Sequence, residues 1–246
     1  MNSVPISGLT DVHCHILPYV DDGAQNLAEA QVMLQMQKEQ GVKTICCTPH
    51  LRQGMFETPQ EKVDEKFVQL EAIAAEMHMK LFLSREYHCD EDLWQRLHRQ
   101  QVRPLADGIH LLIEFSNRHS PEDMFRYLAA VRAVGLVPVI AHIERYDCLL
   151  QEPLLVEQLI QEGAWTQMNT SAILGKEGWK RKLFCKKILK RDQVHLIGSD
   201  AHHADWRMPN LGQCAQFLQR RIPQEQMSRL FFKNPATLEK EIVLTE

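Results

Sequence analysis

Asp11-Val12-His13-Cys14-His15, followed by Asp21-Asp22-Gly23, is the stretch from which the fold can be read. In an extended segment side chains alternate, so His13 and His15 point to the same side. Leu9 to Val12 reads as the first strand. A His-x-His pair at its end can hold a metal ion from two directions, and the acidic loop behind it can add a hard oxygen ligand. Alone, such a pair is weak evidence, because paired histidines are often ordinary surface residues. Its weight comes from what the rest of the chain places at equivalent positions.

The chain has 246 residues, 44% hydrophobic and 24% charged, with a formal net charge of −4. That is the range of one large α/β barrel or two small domains. No basic tract stands out at this level, which speaks against general nucleic-acid binding. Residues 1–10 lack the basic start and apolar core of a signal peptide. No apolar run approaches the ~18 residues of a spanning helix. The seven scattered cysteines therefore read as reduced, mostly buried thiols of a cytoplasmic protein.

Clear strand-like runs are Val42–Cys47, His110–Phe115, Val137–Ala141 and Val194–Ser199; weaker ones are Leu9–His13, Lys80–Ser84 and Ala164–Met168. Most are continuously apolar, as when both faces of a sheet are buried. Helical patterns fall between them. Asn26 caps one, with Glu29 as capping-box partner; Thr58-Pro59-Gln60-Glu61 opens a second; Ser120-Pro121-Glu122-Asp123 opens a third. Two more run from about Glu152 to Glu162 and from about Trp179 to Arg191. Gly41, Gly135 and Gly163 each follow a helix and precede a strand, where a left-handed cap is needed. Strand and helix alternate seven times, the pattern of a parallel sheet covered by helices. With no linker or composition break, residues 1–246 read as a single domain, whose helical remainder from about 209 to 246 packs on the outside. A Rossmann-like sheet is disfavoured because no glycine-rich loop follows the first strand.

The polar residues then collect at strand ends. Strand one ends in His13 and His15, strand two in His50, strand three in Glu86, strand four in Glu114, strand five in His142-Ile143-Glu144-Arg145, strand six in Asn169, strand seven in Asp200-Ala201-His202. Barrel enzymes build their sites at this C-terminal rim. Each residue also has a bland explanation. His142 could be a hydrogen-bonded core histidine, His50 a loop residue, and Asp200 and His202 helix caps. An unpaired Glu114 inside Leu111-Leu112-Ile113 would be costly to bury. Imidazole and carboxylate without thiolate suit manganese, iron or zinc, and nine candidate ligands suggest two or three ions. Such a cluster can acidify a bridging water and hold phosphoryl oxygens. Arg145 and Arg207 lie beside these motifs, and their planar forks match phosphate. Phosphate-ester hydrolysis follows from this set more naturally than amide hydrolysis.

The stretches DVHCHILPYVDDGA, TPHLRQGMFETPQEKV, LLIEFS, VPVIAHIERYD, TQMNTSAIL, GSDAHHADWRMP and KNPATL together resemble the polymerase-and-histidinol-phosphatase (PHP) family. Within it, GMFETP and AHIERY resemble the bacterial capsule-type tyrosine phosphatases (CpsB/CapC-like). The resemblance implies a distorted seven-stranded (β/α)7 TIM-like barrel with a metal site of two to three ions, of manganese type, at the C-terminal rim. It implies one ion on His13, His15 and Asp200, a second on Glu114 and His142 with Glu86 bridging, and a third on Asp22, His50 and His202. It further implies that Arg145 and Arg207 bind the phosphate of phosphotyrosine, with Arg52 a weaker candidate and His50 also placed with the catalytic residues. The implied partner is a bacterial tyrosine kinase controlling capsule synthesis. Ser84-Arg85-Glu86 departs from the family, which commonly has a small residue before this glutamate.

Rival readings remain at this level. Cys46 to Arg52, Cys185 to Arg191 and Cys214 to Arg220 each fit Cys-x5-Arg, but none has the glycines of a phosphate loop. A metal-dependent amidohydrolase would carry lysine where Glu114 stands. A phosphatase for small phosphate esters such as histidinol phosphate would use the same ligands, and so would a metal-stabilised scaffold that binds a kinase.

Overall fold

The computed structural model describes residues 6–239. Nine parallel strand segments run through it: β1 Leu9–Cys14, β2 Val42–Cys47, β3 His50–Leu51, β4 Lys80–Leu83, β5 Glu86–His88, β6 His110–Glu114, β7 Val137–Ile140, β8 Trp165–Asn169 and β9 Leu196–Gly198. They hydrogen-bond in two runs, β1-β2-β4 and β3-β5-β6-β7-β8-β9. The sheet curls until β1 lies beside β9, with Asp200 N–H donating to His13 O and His15 N–H to Ala201 O, both at 2.8 Å. Buried Asp11 ties the same junction, accepting from Ser199 N at 2.8 Å.

Seven continuous strands were expected, and here the structure corrects the reading. The second and third strands are each broken in two. Pro49 has no N–H for the ladder, and the break at Thr48-Pro49 is matched by one at Ser84-Arg85. Pairing resumes with His50 opposite Glu86, which turns both side chains towards the rim.

The sheet has two apolar layers. Inside the curl, Val12, Cys46, Phe82, Leu112, Val139, Trp165 and Leu196 pack together, one from each of seven strands. On the other face, alternate residues such as Ile45, Ile113, Ile140 and Ile197 pack under the helices. That two-faced burial explains the unbroken apolar runs.

The helices are α1 Leu27–Glu39, α2 Gln60–Glu76, α3 Glu91–His98, α4 Pro121–Ala133, α5 Asp147–Gln151, α6 Leu155–Gln161, α7 Thr170–Leu174, α8 Trp179–Lys190, α9 Leu211–Leu218, α10 Gln224–Ser228 and α11 Asn234–Leu238. Helix α4 has the full capping box, Ser120 with Asp123. Asn26 caps α1, but Glu29 accepts from Gln25 N and from His203 rather than from the cap. Thr58 does not cap α2; its hydroxyl donates to Val20 O instead. Gly41, Gly135 and Gly163 take φ of 84°, 82° and 83° after their helices. Helices α3, α5 and α7 have no counterpart in the sequence reading; α3 is capped by Asp90 and has only a short apolar stripe, Leu93 and Leu97.

The C-terminal helices depart from the expectation of purely outside packing. Leu238, at the end of α11, joins the interior cluster, and Asn234 donates to His195 O just before β9. This segment stoppers the bottom of the curl and leaves the top to the polar residues. Residues 240–246, part of the expected helical remainder, lie outside the described residues.

Candidate metal centre

All nine expected ligand residues meet at the C-terminal ends of the strands. His13 comes from β1, His15 and Asp22 from the loop after it, His50 from β3, Glu86 from β5, Glu114 from the end of β6. His142 follows β7; Asp200 and His202 follow β9. His13, His15, Glu86, His142, Asp200 and His202 are buried; Asp22, with a side chain 47% exposed, opens the site to solvent.

Glu86 is the centre. Its Oε2 faces His13 Nε2 and His15 Nε2 at 3.2 Å each and His50 Nδ1 at 3.0 Å. Its Oε1 lies 3.0 Å from His142 Nε2, which also stands 3.6 Å from Glu114. Asp200 Oδ1 lies 3.6 and 3.4 Å from the Nε2 atoms of His13 and His15. Asp22 Oδ1 lies 3.7 Å from His50 Nε2 and 3.5 Å from His202 Nε2. Three groups are compact enough to hold one ion each: His13, His15 and Asp200; His50, Glu86 and Glu114; and His15, Asp22, His50 and His202. The implied partition differs in detail. His15 and His50 each belong to two groups, and His142 stands beside Glu86 and Glu114 but outside the tight sets.

The fit to cations can be tested on the imidazoles themselves. His13 Nδ1 bonds Gln167 Oε1 at 3.2 Å, an oxygen that also accepts from His142 N–H at 2.7 Å. His15 Nδ1 bonds Asp21 Oδ2 at 2.8 Å. Both partners are acceptors, so both Nδ1 atoms carry the proton when the rings are neutral. The two bare Nε2 lone pairs then face each other at 3.1 Å. Lone pairs so placed repel unless a metal ion or a proton lies between them. Glu86 Oε2 and His202 Nε2 are also buried without a partner in hydrogen-bonding geometry.

Electrostatics point the same way. Burial opposes ionisation of Glu86, but charge on His13 and His50 outweighs it and holds the carboxyl well below its usual range. Burial likewise opposes ionisation of Asp200, and Arg145 and Arg207 outweigh it. Burial would depress His13, yet Glu86 and Asp200 push it up to about 9. His50 rises to about 10 against burial, through Glu86. The buried carboxylates thus demand positive charge, which a cation or protons on these rings can supply.

Backbone strain marks the rim. His142, Asp200 and Arg207 have φ of 32°, 50° and 46°, a region that side chains other than glycine seldom occupy. Gly198 is needed for a different reason: a Cβ there would come within 2.7 Å of His13 Cβ.

Arg145 and Arg207 flank the cluster. Arg145 Nη1 and Arg207 Nη2 reach the outer oxygen of Asp200, Oδ2, at 2.8 and 2.7 Å. Asn169 Nδ2 reaches the same oxygen at 2.7 Å. The two arginines open onto a cavity of about 430 Å³ whose walls also carry Lys176, Arg181 and Ser171. Small net charge therefore concealed a basic face: α8 holds Lys180, Arg181, Lys182, Lys186, Lys187 and Lys190 and no acid. Arg52 makes no side-chain bond to the nine residues; its backbone pairs with Phe56, whose ring stacks on His50 with centroids 5.1 Å apart.

Four contributors were missed. Asp21 orients His15 and accepts from His50 N; Gln167 orients His13; Asn169 was seen at a strand end but given no role. His88 Nδ1 lies 3.2 Å from Glu114. Glu86-x-His88 has the same alternation as His13-x-His15, a signal that could have found it. Arg85 points away from the centre, to Thr58 O, His50 O and Gln60. The thiols of the Cys-x5-Arg patterns are remote: Cys46 lies in the interior cluster, Cys185 and Cys214 in α8 and α9 under the sheet. Burial pushes all three thiols up, opposite to a nucleophilic cysteine.

A curled parallel sheet with polar residues gathered at the C-terminal ends of its strands is a barrel-like fold, and fold comparison shows the same architecture. A phosphotriesterase homology protein from Escherichia coli superposes with a TM-score of 0.62 at 15% identity, over 97% of this chain and 100% of that one. At that identity the likeness is one of fold. Residues 9–240 match the family described as capsular polysaccharide synthesis, CpsB/CapC. The tyrosine-protein phosphatase CpsB of Streptococcus pneumoniae is 36% identical over 234 residues, 92% of this chain and 96% of the relative. The tyrosine-protein phosphatase YwqE of Bacillus subtilis is 31% identical over 201 residues, 81% of this chain and 79% of the relative. Crystal structures of YwqE and CpsB, described as unique metal-dependent tyrosine phosphatases, include one that superposes with a TM-score of 0.86 at 29% identity, covering 94% of each chain. The chain belongs to the CpsB/CapC family.

Proposed function

We propose that this protein is a metal-dependent phosphotyrosine-protein phosphatase acting on a bacterial tyrosine kinase that controls capsular or exopolysaccharide synthesis. The observation that carries the reading is the facing pair of Nε2 atoms on His13 and His15, 3.1 Å apart beside two buried carboxylates. The names of the relatives supply the substrate class. His13, His15, Asp22, His50, Glu86, Glu114, His142, Asp200 and His202 would hold two to three divalent ions, manganese in this reading. Ions held there would supply an acidified water and draw charge from phosphoryl oxygens.

The chain's own groups do the rest. Arg145 and Arg207 receive the phosphate at the cavity mouth, where spare N–H groups of both forks remain available. Gln167 and Asp21 fix the tautomers of His13 and His15. Asp22 and the half-buried His50 stand on the solvent side of the cluster. The nine strand segments are read as seven units of a distorted PHP-type barrel in a single domain over 1–246. A cytoplasmic place accords with the kinase partner; among the described residues no helix is long and apolar enough to cross a membrane.

The test is hydrolysis of a phosphotyrosine peptide and of histidinol phosphate by protein of measured metal content, with and without chelator. The reading expects peptide turnover that chelation abolishes. Preference for histidinol phosphate would move the assignment to small esters, and metal-replete protein without turnover would favour a scaffold.

A further inference from the structure

Behind the wall formed by β3 and β5 lies a second cavity, of about 360 Å³. Its walls include Arg85, Arg96, Arg103, Gln60 and Tyr87. It is separate from the metal centre: Leu51 and Tyr87 line it, while their neighbours His50 and Glu86 face the other way by strand alternation.

Arg85 is 1% exposed, and its hydrogen-bond partners are all neutral. Nη2 donates to Thr58 O at 2.9 Å, Nη1 to His50 O and Nε to Gln60 Oε1 at 3.3 Å each. Those contacts leave N–H groups of the fork unused, and no carboxylate among the described residues pairs with it. Asp21 acts on it only from a distance, and a buried cation with no carboxylate bonded to it is expensive. Arg96 and Arg103, on the same cavity, pair with Asp92 and Asp64 along its outer edge; Glu57 is the one acidic residue in the lining. The first turn of α2 also borders the space, and that 17-residue helix begins without a side-chain cap. Lys62 and Val63 N–H reach Pro59 O, which leaves the N–H groups of Gln60 and Glu61 and the helix dipole to favour an anion there, against the charge of Glu61 in the same turn.

We infer that this cavity is a binding site for a phosphate-class dianion, free or as a monoester, held by Arg85 with Arg103 and Arg96. Planar forks arranged around one cavity match tetrahedral oxyanions better than a single carboxylate. The ligand would lie against β3 and β5, the strands that carry His50 and Glu86, without touching the metals.

Equilibrium dialysis of radiolabelled inorganic phosphate against metal-loaded, full-length protein tests this by difference. Arg85→Gln should bind one fewer phosphate per chain than the unmodified protein. Arg103→Ala should weaken that same site at least tenfold. Arg85 also bonds His50 O, so metal content is measured on each variant, and Arg103→Ala, whose side chain pairs with Asp64 away from the ligands, shows that the difference does not depend on the proposed activity. Phenylphosphonate in excess separates the sources: displacement from the Arg85-dependent site extends the ligand to monoesters, and retention restricts it to free phosphate. Should Arg85→Gln fail to fold, Arg103→Ala, with a side chain 40% exposed, carries the comparison. Equal stoichiometry and affinity in every folded variant would overturn the inference.

Discussion

Nη1 of Arg145 stands 2.8 Å from Oδ2 of Asp200, while Oδ1 of the same carboxylate faces His13 and His15. One side chain thus joins the phosphate-side guanidinium to the histidine cluster. Arg145 gains from it: burial alone would lower its pKa, but Asp200 and Glu177 raise it, so the fork stays charged and aimed.

Arg145→Ala and Arg207→Ala should keep bound metal but lose kcat/KM on a phosphotyrosine peptide by roughly tenfold to a thousandfold, about 1–4 kcal/mol of transition-state stabilisation. Lysine should restore only part, since it lacks the planar fork. Metal content measured on each variant separates this loss from damage to Asp200. Unchanged efficiency in both alanine variants would leave phosphate recognition to the metals alone.

Asp21 acts through His15. Asp21→Asn offers His15 Nδ1 either an acceptor or a donor, and removes a charge next to His50. Metal affinity should fall about 10- to 100-fold, with kcat recovering as metal is raised. Competition titration with a chelating dye reads the affinity; a wild-type value would reduce Asp21 to a loop tie.

No thiol takes part in this account. Cys46→Ser, Cys185→Ser and Cys214→Ser should each retain substantial turnover in folded protein. Cys46→Ser should cost about 1–3 kcal/mol in denaturant unfolding, because its hydroxyl enters the apolar interior. Trapping of phosphate on any of these sulfurs would contradict the mechanism.

Far below the rim, His195 offers a pH effect independent of metal. Its pKa is pulled from 6.5 down to about 4, first by burial and then by charge on His110 and Arg229, with Asp192 opposing. Folding therefore favours the neutral ring. Its contribution is fully present above pH 6.5 and is lost as pH falls from 6.5 towards 4, a change of roughly 3 kcal/mol at most. His195→Asn keeps an acceptor for Thr166 N–H and removes the titration. Thermal unfolding of this variant should fall less than wild type between pH 6.5 and 4.5; parallel curves would place the acid sensitivity elsewhere.

What could be read from sequence was whatever rested on local pattern. Val42–Cys47 and the cap at Ser120 depend on neighbours in the chain, and so does the gathering of His13, Asp200 and their companions at strand ends. What escaped depended on partners distant in sequence. Arg85 was conspicuous beside Glu86, yet its direction is set by Thr58 and Gln60. Leu238 reads as one residue of an outer helix until the open bottom of the curl is seen. Asp21 and Asp22 are equivalent as adjacent acids; only the fold turns one towards His15 Nδ1 and leaves the other facing His50 and His202. The broken strands were hidden because Thr48-Pro49-His50 looks like a strand end.

If the histidine and carboxylate cluster holds the ions that hydrolysis needs, metal and turnover must be lost together. Phosphotyrosine-peptide turnover, followed against metal bound per chain in wild type and His13→Ala, tests it most directly. The account predicts that wild-type turnover rises with bound metal and is abolished by chelation. It predicts that His13→Ala, folded by circular dichroism, loses both metal and turnover. Full metal occupancy and full turnover in His13→Ala would contradict it.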